Sequence, residues 1–191
     1  MKKFISGIAA VLTAFSFSLA VSAASGCIIE PTANDNNSVT LEKGNRTLAA
    51  LSFHADDDPD SFYFKVLTNL NLCLAAQAFD GQDAYYFDFV INPAIPATSV
   101  PTLAIYNPYL DDDGKPAIKP EKVKIYQVYN DKLVDVTKKF SVQEDSDGKS
   151  CFVTSTRKPG IYVLAEKSVD SEWLQIKEQT KKTVKKLPVI S

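Results

Sequence analysis

The sequence contains only one histidine, three cysteines and seven glycines in 191 residues. Zinc sites need three or four clustered Cys or His ligands, so these scattered residues exclude the usual zinc spacings. A Ser-His-Asp triad would have to use His54, and no Gly-x-Ser-x-Gly motif accompanies it. No glycine-rich phosphate loop is present either. We therefore predict a non-enzymatic protein that requires no cofactor.

An excess of positive charge is also missing, because the formal net charge is −2. Nucleic-acid binding depends on lysines and arginines that neutralise phosphates, so we predict no nucleic-acid partner. No long apolar run occurs after residue 20, and we predict no transmembrane segment downstream of that point.

The first residues have the pattern of a secretory signal peptide. Lys2 and Lys3 precede an uncharged apolar stretch over 4–20, and small residues at 21–23 offer a cleavage site after Ala23. The short Lys-Lys start is typical of bacteria. The pattern predicts a signal peptide over 1–23 and a protein that is secreted or associated with the cell envelope. The expected partner is an extracellular protein or a polysaccharide.

The odd number of cysteines leaves two alternatives open. Residues 24–27, Ala-Ser-Gly-Cys, resemble a bacterial lipobox, so Cys27 is a candidate for lipidation and for a lipid anchor. Cys73 and Cys151 then remain as a candidate disulfide. The other alternative is that these two cysteines are buried free thiols, since free cysteine packs as a small hydrophobe.

The remaining chain reads as one domain with flanking segments. Residues 24–37 are rich in turn-formers and are predicted to be a flexible lead-in, followed by a β-sandwich domain over 38–167. Residues 70–78 alternate strictly, so we predict a strand that pairs with 84–91, although their alanines also suit a helix. Other short alternating runs are predicted strands: 38–41, 48–53, 62–67 and 103–106.

Residues 123–165 carry the strongest strand signal. Four runs rich in β-branched and aromatic residues, 123–129, 133–137, 150–155 and 160–165, are separated by turn-formers. They predict an antiparallel meander within an all-β, two-sheet antiparallel β-sandwich. The predicted core comprises Phe62, Phe64, Leu72, Leu74, Phe87, Phe89, Ile125, Val153 and Val163.

The pattern changes to helical spacing in 168–191. Val169, Trp173, Ile176 and Thr180 recur at helical intervals, with acidic residues first and lysines last. This predicts a C-terminal amphipathic helix from about 170 to 186, followed by a tail.

Two groups of side chains are candidate binding features. The acidic turns at 56–60, 111–114 and 145–148 have oxygen ligands that suit calcium, but none completes a calcium loop, and Asp-Gly is also an ordinary turn. Tyr85 and Tyr109 are candidate ligand-stacking aromatics, because tyrosine offers an apolar face to a sugar ring. The alternative is that these tyrosines belong to the core.

The motifs Val-Lys-Ile-Tyr-Gln-Val-Tyr from 123, Ser-Cys-Phe-Val-Thr from 150 and Gly-Ile-Tyr-Val-Leu-Ala from 160 carry a resemblance. They resemble the closing strands of Ig-like β-sandwich modules in bacterial secreted and surface proteins. A true immunoglobulin domain is not indicated, because no Trp lies between Cys73 and Cys151. The resemblance implies an adhesive, spacer or ligand-binding module of the cell envelope. The alternative function is a carbohydrate-active protein, either a sugar-binding module or a weak glycoside hydrolase.

Overall fold

The computed structural model describes residues 18–19, 26–69, 74–129 and 132–170. These ranges contain twelve strands and three short 3-10 helices, Leu74–Phe79, Pro120–Lys122 and Thr137–Lys139. The strands are β1 (Ser18–Leu19), β2 (Cys27–Ile29), β3 (Asn36–Lys43), β4 (Arg46–His54), β5 (Phe62–Leu67), β6 (Ala84–Asn92), β7 (Thr102–Tyr106), β8 (Lys124–Tyr129), β9 (Lys132–Asp135), β10 (Ser141–Glu144), β11 (Ser150–Ser155) and β12 (Ile161–Ala165).

The strands form two sheets that pack as a sandwich. The first sheet has the order β1-β3-β4-β7-β11-β10, and the second has the order β2-β5-β6-β12-β8-β9. Every pairing is antiparallel except the two-residue parallel pairing of β1 with β3. The predicted all-β, two-sheet antiparallel sandwich is therefore confirmed.

The strand positions predicted over 123–165 are confirmed, but their predicted connection as a meander is wrong. The strand β11 lies in the first sheet, between β7 and β10, whereas β8, β9 and β12 lie in the second sheet. The chain crosses between the sheets after β9, where buried Val136 and partly buried Phe140 both pack against the core. Local alternation identifies a strand but does not fix its sheet, because pairing partners are distant in sequence.

The predicted strand over 70–78 is also wrong where the structure describes it. Leu74–Phe79 is a 3-10 helix, and residues 70–73 lie outside the described ranges. The expected partner, 84–91, forms β6 but pairs with β5 and β12. The alanine content, which favours a helix, was therefore a better guide to this segment than the alternation of its apolar residues.

The expectation of a flexible lead-in over 24–37 is wrong for part of the described residues, because 27–29 form β2 of the second sheet and 36–37 begin β3 of the first. The strand β2 pairs with β5, and Ile29 and Cys27 are both buried. The turn residue Gly26 has a φ of +144° and approaches the backbone of Phe64 so closely that a Cβ would lie 2.9 Å from its carbonyl oxygen. Glycine is therefore required where the chain enters β2.

The main core lies between the sheets and contains Phe62, Phe64, Phe87, Phe89 and Ile125 of the predicted set. Val153 and Val163 are buried too, but outside this cluster. Leu72 lies outside the described residues, and the side chain of Leu74 is not described.

A second apolar cluster covers the outer face of the second sheet. Val163 belongs to it, whereas the next residue, Leu164, belongs to the main core, so the two clusters occupy opposite faces of β12. Phe79 from the 3-10 helix packs edge-on against Tyr126, with ring centroids 5.6 Å apart. Val169 completes the cluster, and its backbone N–H donates to the Tyr126 hydroxyl at 2.9 Å. The short helix and the segment after β12 thus form a partial third layer.

The predicted C-terminal helix lies outside the described residues beyond Asp170, and the predicted signal peptide lies outside them except for Ser18 and Leu19. Among the residues that are described, no helix has the length and apolar character needed to span a membrane.

Candidate functional site

A pocket of about 660 Å³ opens at one end of the sandwich. Its walls come from the β3–β4 turn, the start of β6, the segment that follows β7, and the β10–β11 turn. Leu48 and Phe87 line it at the level of the main core, so its base is apolar while its mouth is polar. This size lies within the range of small-molecule sites in proteins.

Tyr85 is the exposed aromatic side chain of the pocket. It lies on β6, is 37% exposed and lines the pocket. Its ring packs edge-on against Tyr109, with centroids 4.9 Å apart and an interplanar angle of 86°. Such an arrangement is the favoured geometry for two aromatic rings and holds the exposed ring in place.

Tyr109 occupies a different position from the one expected of a stacking residue. It is only 4% exposed and does not line the pocket, and its hydroxyl lies 2.9 Å from the carbonyl oxygens of both Asp83 and Leu164. Burial, with negative charge at Glu166 next in effect, raises the pKa of this hydroxyl, so it stays protonated as a donor. Tyr109 therefore supports Tyr85 from behind rather than presenting its own ring to a ligand.

A buried polar contact fixes the segment that follows β7. The Asn107 side chain donates to the Ser150 hydroxyl at 3.1 Å, and its amide oxygen accepts from the backbone N–H of Tyr109. The backbone N–H of Asn107 also donates to the carbonyl oxygen of Ser150 at 3.0 Å. Because Asn107 and Ser150 both line the pocket, these bonds make this wall rigid.

Two cations lie side by side on the hairpin between β3 and β4. Lys43 and Arg46 are direct cross-strand partners, both are exposed, and both line the pocket. The Lys43 Nζ donates to the Thr68 hydroxyl at 3.3 Å. Among the described residues, the Arg46 guanidinium has no hydrogen bond or ion pair.

In each of the two acidic turns that border the pocket, the first carboxylate accepts hydrogen bonds from the backbone of its own turn. Asp111 Oδ1 accepts from the backbone N–H groups of Asp113 and Lys115. In the other turn, Asp145 Oδ1 accepts in the same way from Asp147 and Lys149, which also form an ion pair at 3.3 Å. These bonds explain the Asp-rich composition as turn chemistry. In the described ranges, no three His, Cys, Asp or Glu residues are grouped as metal ligands.

His54 lies at the other end of the sandwich, because β4 runs away from the pocket from Arg46 to His54. Its Nδ1 lies 3.1 Å from the Asn36 side-chain oxygen. The only imidazole of the chain is therefore absent from the pocket.

Two of the three cysteines are described, and both are buried free thiols. Cys27 lies on β2 and Cys151 on β11, with exposures of 8% and 2%. Burial raises the pKa of both thiols; with the nearby charge of Asp145, that of Cys151 rises to about 11. Cys73 lies outside the described residues, so the bridge between Cys73 and Cys151 stays a prediction. Lipidation of Cys27 also stays a prediction, and it would require the buried thiol to become exposed.

The sequence reasoning did not find Lys43 and Arg46. The signal was present, because Gly44-Asn45 is a two-residue turn sequence between two alternating runs, which places the flanking residues opposite each other. No local sequence pattern indicated that Asn107 and Ser150 line a pocket, because their contact joins segments that are distant in sequence.

No protein-family model matches the chain, and no curated protein or solved structure matches it. What is established is the all-β sandwich of two antiparallel sheets.

Proposed function

We propose that this protein is an exported, non-enzymatic binding module of the bacterial cell envelope and that the pocket at the end of the sandwich is its binding site. The observation that carries the proposal is the exposed ring of Tyr85 within a concave site of about 660 Å³. An apolar base with polar groups at the mouth is the usual composition of a small-molecule site. Ligand binding is one of the roles, besides adhesion and spacing, that the resemblance of 123–165 to sandwich modules of bacterial surface proteins implies.

The position of the titratable groups favours binding over catalysis. His54 lies at the opposite end of the sandwich, and the Asp111 and Asp147 carboxylates serve a turn and an ion pair. A hydrolase that uses two carboxylates needs both of them free to face the substrate. Within the described lining, Asp112 alone is an acidic side chain with no such contact.

Sugar binding is the second candidate function, and it would use the same pocket as the first. Tyr85 supplies the ring surface on which a sugar stacks, and the neighbouring turns supply carboxylate and amide groups for its hydroxyls. The ligand would then be a polysaccharide of the envelope or of the surroundings rather than a protein.

A binding experiment with paired variants tests the proposed site. The purified protein is screened against a glycan array and a panel of extracellular proteins, and the best ligand is then titrated by calorimetry. We expect Tyr85→Ala to abolish binding and Tyr85→Phe to retain most of it, because the second variant keeps the ring. Tyr63→Ala on the neighbouring strand β5 serves as a control outside the pocket. Equal affinity of all four proteins would exclude this pocket as the site.

Export has its own test. The protein is expressed in a bacterial host, the culture is fractionated, and the intact mass of the exported form is measured. A mature chain that begins at residue 24 supports signal-peptide cleavage, whereas a chain that begins at Cys27 and carries a diacylglycerol supports the lipid anchor. A cytoplasmic protein with an uncleaved N-terminus would contradict export.

A further inference from the structure

We infer that the ligand of this pocket is an acidic saccharide, with a carboxylate held by Lys43 and Arg46 and a sugar ring stacked on Tyr85. This inference rests on the proposed function, because it assigns a ligand class to the same site. Its evidence is separate and lies in the charges of the β3–β4 hairpin.

The β3–β4 hairpin holds two positive charges in an unfavourable arrangement. Lys43 and Arg46 are paired across a tight turn, so their side chains leave the same face of the hairpin. Like charges at directly opposite positions destabilise a strand pair. The adjacent acid, Glu42, pairs with Thr47, and strand alternation directs its side chain to the other face. The hairpin therefore carries a cationic pair that it does not neutralise itself.

The acids that line the pocket do not neutralise these two cations. Asp111 Oδ1 is held by two backbone N–H groups of its own turn, and Asp147 is paired with Lys149. Asp112 also lines the pocket but lies beyond 4.0 Å of either cation, since no such ion pair occurs in the described chain. The two cations thus lack a carboxylate partner within the described structure.

A ligand carboxylate matches the hydrogen-bond donors of these two cations. An arginine guanidinium presents parallel N–H donors that match the two oxygens of a carboxylate, and a lysine ammonium adds a second positive charge. A bound carboxylate would replace the repulsion between Lys43 and Arg46 with two attractions. The anion is therefore expected on the wall formed by the hairpin.

The other side chains of the pocket favour a saccharide over other carboxylates. Tyr85 lies in the same pocket and offers an exposed ring to the flat face of a sugar. The Asp112 carboxylate supplies hydrogen-bond acceptors for sugar hydroxyls. A uronic acid within a glycan has the groups that these features would bind: a carboxylate for the cations, a sugar ring for the aromatic side chain and hydroxyls for the acceptors.

The test compares one sugar in charged and neutral forms. Trigalacturonic acid and its methyl ester are titrated into the full chain by calorimetry, because the ester keeps the rings and removes the charge. We expect the acid to bind at least about tenfold more tightly and its affinity to fall with added salt, since ion pairs at a protein surface are screened. Tricarballylate, a tricarboxylate without a sugar ring, should bind at least about tenfold more weakly than the sugar acid.

A double variant assigns the preference to the two cations. Lys43→Gln with Arg46→Gln should remove the preference for the acid, so that acid and ester bind the variant with equal affinity. Lys138→Gln with Lys139→Gln changes the net charge equally, on an exposed segment outside the pocket, and should bind as the unmodified protein does. Circular dichroism and urea unfolding verify that each variant folds.

Three outcomes would overturn the inference. If acid and ester bind equally, with Tyr85→Ala still abolishing both, the charge assignment fails and the proposed binding function stands. If tricarballylate binds as tightly as the sugar acid, the saccharide assignment fails. If Tyr85→Ala changes the affinity of no ligand, the inference and the proposed function fail together.

Discussion

The ring of Tyr85 rests edge-on against the ring of Tyr109, with centroids 4.9 Å apart, and Tyr109 is fixed in turn by the carbonyl oxygens of Asp83 and Leu164. The exposed ring of the pocket is thus supported by a buried one that is tied to β12. A ligand that stacks on Tyr85 meets a surface already held in position, which lowers the entropy lost on binding.

Replacement of Tyr109 by Phe tests this support. The variant keeps the ring but removes the hydroxyl from the buried carbonyl oxygen of Leu164 and the partly buried one of Asp83, so the free energy of unfolding should fall by about 1–3 kcal/mol. Urea unfolding measures the change. The Tyr85→Phe variant is the matched control and should stay within about 0.5 kcal/mol, because that hydroxyl is on a half-exposed side chain. Equal effects at both positions would contradict the supporting role of Tyr109.

Replacement of Arg46 by Glu should separate stability from binding. An opposite charge across from Lys43 turns a repulsive cross-strand pair into an attractive one, so the variant should gain about 0.5–1 kcal/mol in unfolding free energy. The same change places a negative charge in the pocket and should abolish binding of an acidic sugar. Loss of stability in urea unfolding at low salt would show that Arg46 has a structural partner instead.

In the reduced protein, where Cys151 has a free thiol, the burial of this thiol predicts a loss of stability in alkali. Burial first, and the charge of Asp145 second, raise its pKa from 9.0 to about 11 in the folded protein. The unfolded chain therefore releases this proton at lower pH than the folded protein does. The stabilisation is complete below pH 9, and the free energy of unfolding falls as pH rises from 9 to about 11.

Urea unfolding at a series of pH values from 8 to 11 measures this effect, with Cys151→Ala as the control. The variant should show a shallower decline between pH 9 and 10, below the range in which the buried tyrosines titrate. Identical pH profiles for the two proteins would refute the assignment to Cys151.

The second apolar cluster, on the outer face of the second sheet, predicts that Phe79 contributes strongly to stability. Its side chain is 3% exposed and packs on Tyr126, so Phe79→Ala should lower the free energy of unfolding by about 3 kcal/mol or more. Val90→Ala, at a 36% exposed position on β6, should change it by less than about 0.5 kcal/mol. A comparably small effect at Phe79 would show that the 3-10 helix does not cover the second sheet.

The sequence predicted the elements of the fold better than their arrangement. Alternation along β5 and β6 identified the strands and their buried faces, because period two is a local property. It could not place β11 in the first sheet, since the pairing of Cys151 with Tyr106 spans a long loop. The sequence pattern also did not predict the partial third layer, because apolar residues alternate around Leu74 as they do in a strand.

The candidate site was predictable only in part. The sequence singled out Tyr85 and Tyr109 together, but period and composition do not show which of two tyrosines is exposed. The structure separates them, with exposures of 37% and 4%. The pairing of Lys43 with Arg46 follows from a two-residue turn, but the pocket beside them depends on loops from distant parts of the chain.

The central claim is that a ligand binds at this end of the sandwich, and a nuclear magnetic resonance titration tests it most directly. The uniformly ¹⁵N-labelled protein is titrated with trigalacturonic acid, and the amide shifts are followed by residue. We expect saturable shifts concentrated at Arg46, Tyr85 and Ser150, with His54 and its neighbours unchanged. Shifts centred on the end that contains His54, or no saturable shift at any amide, would contradict it.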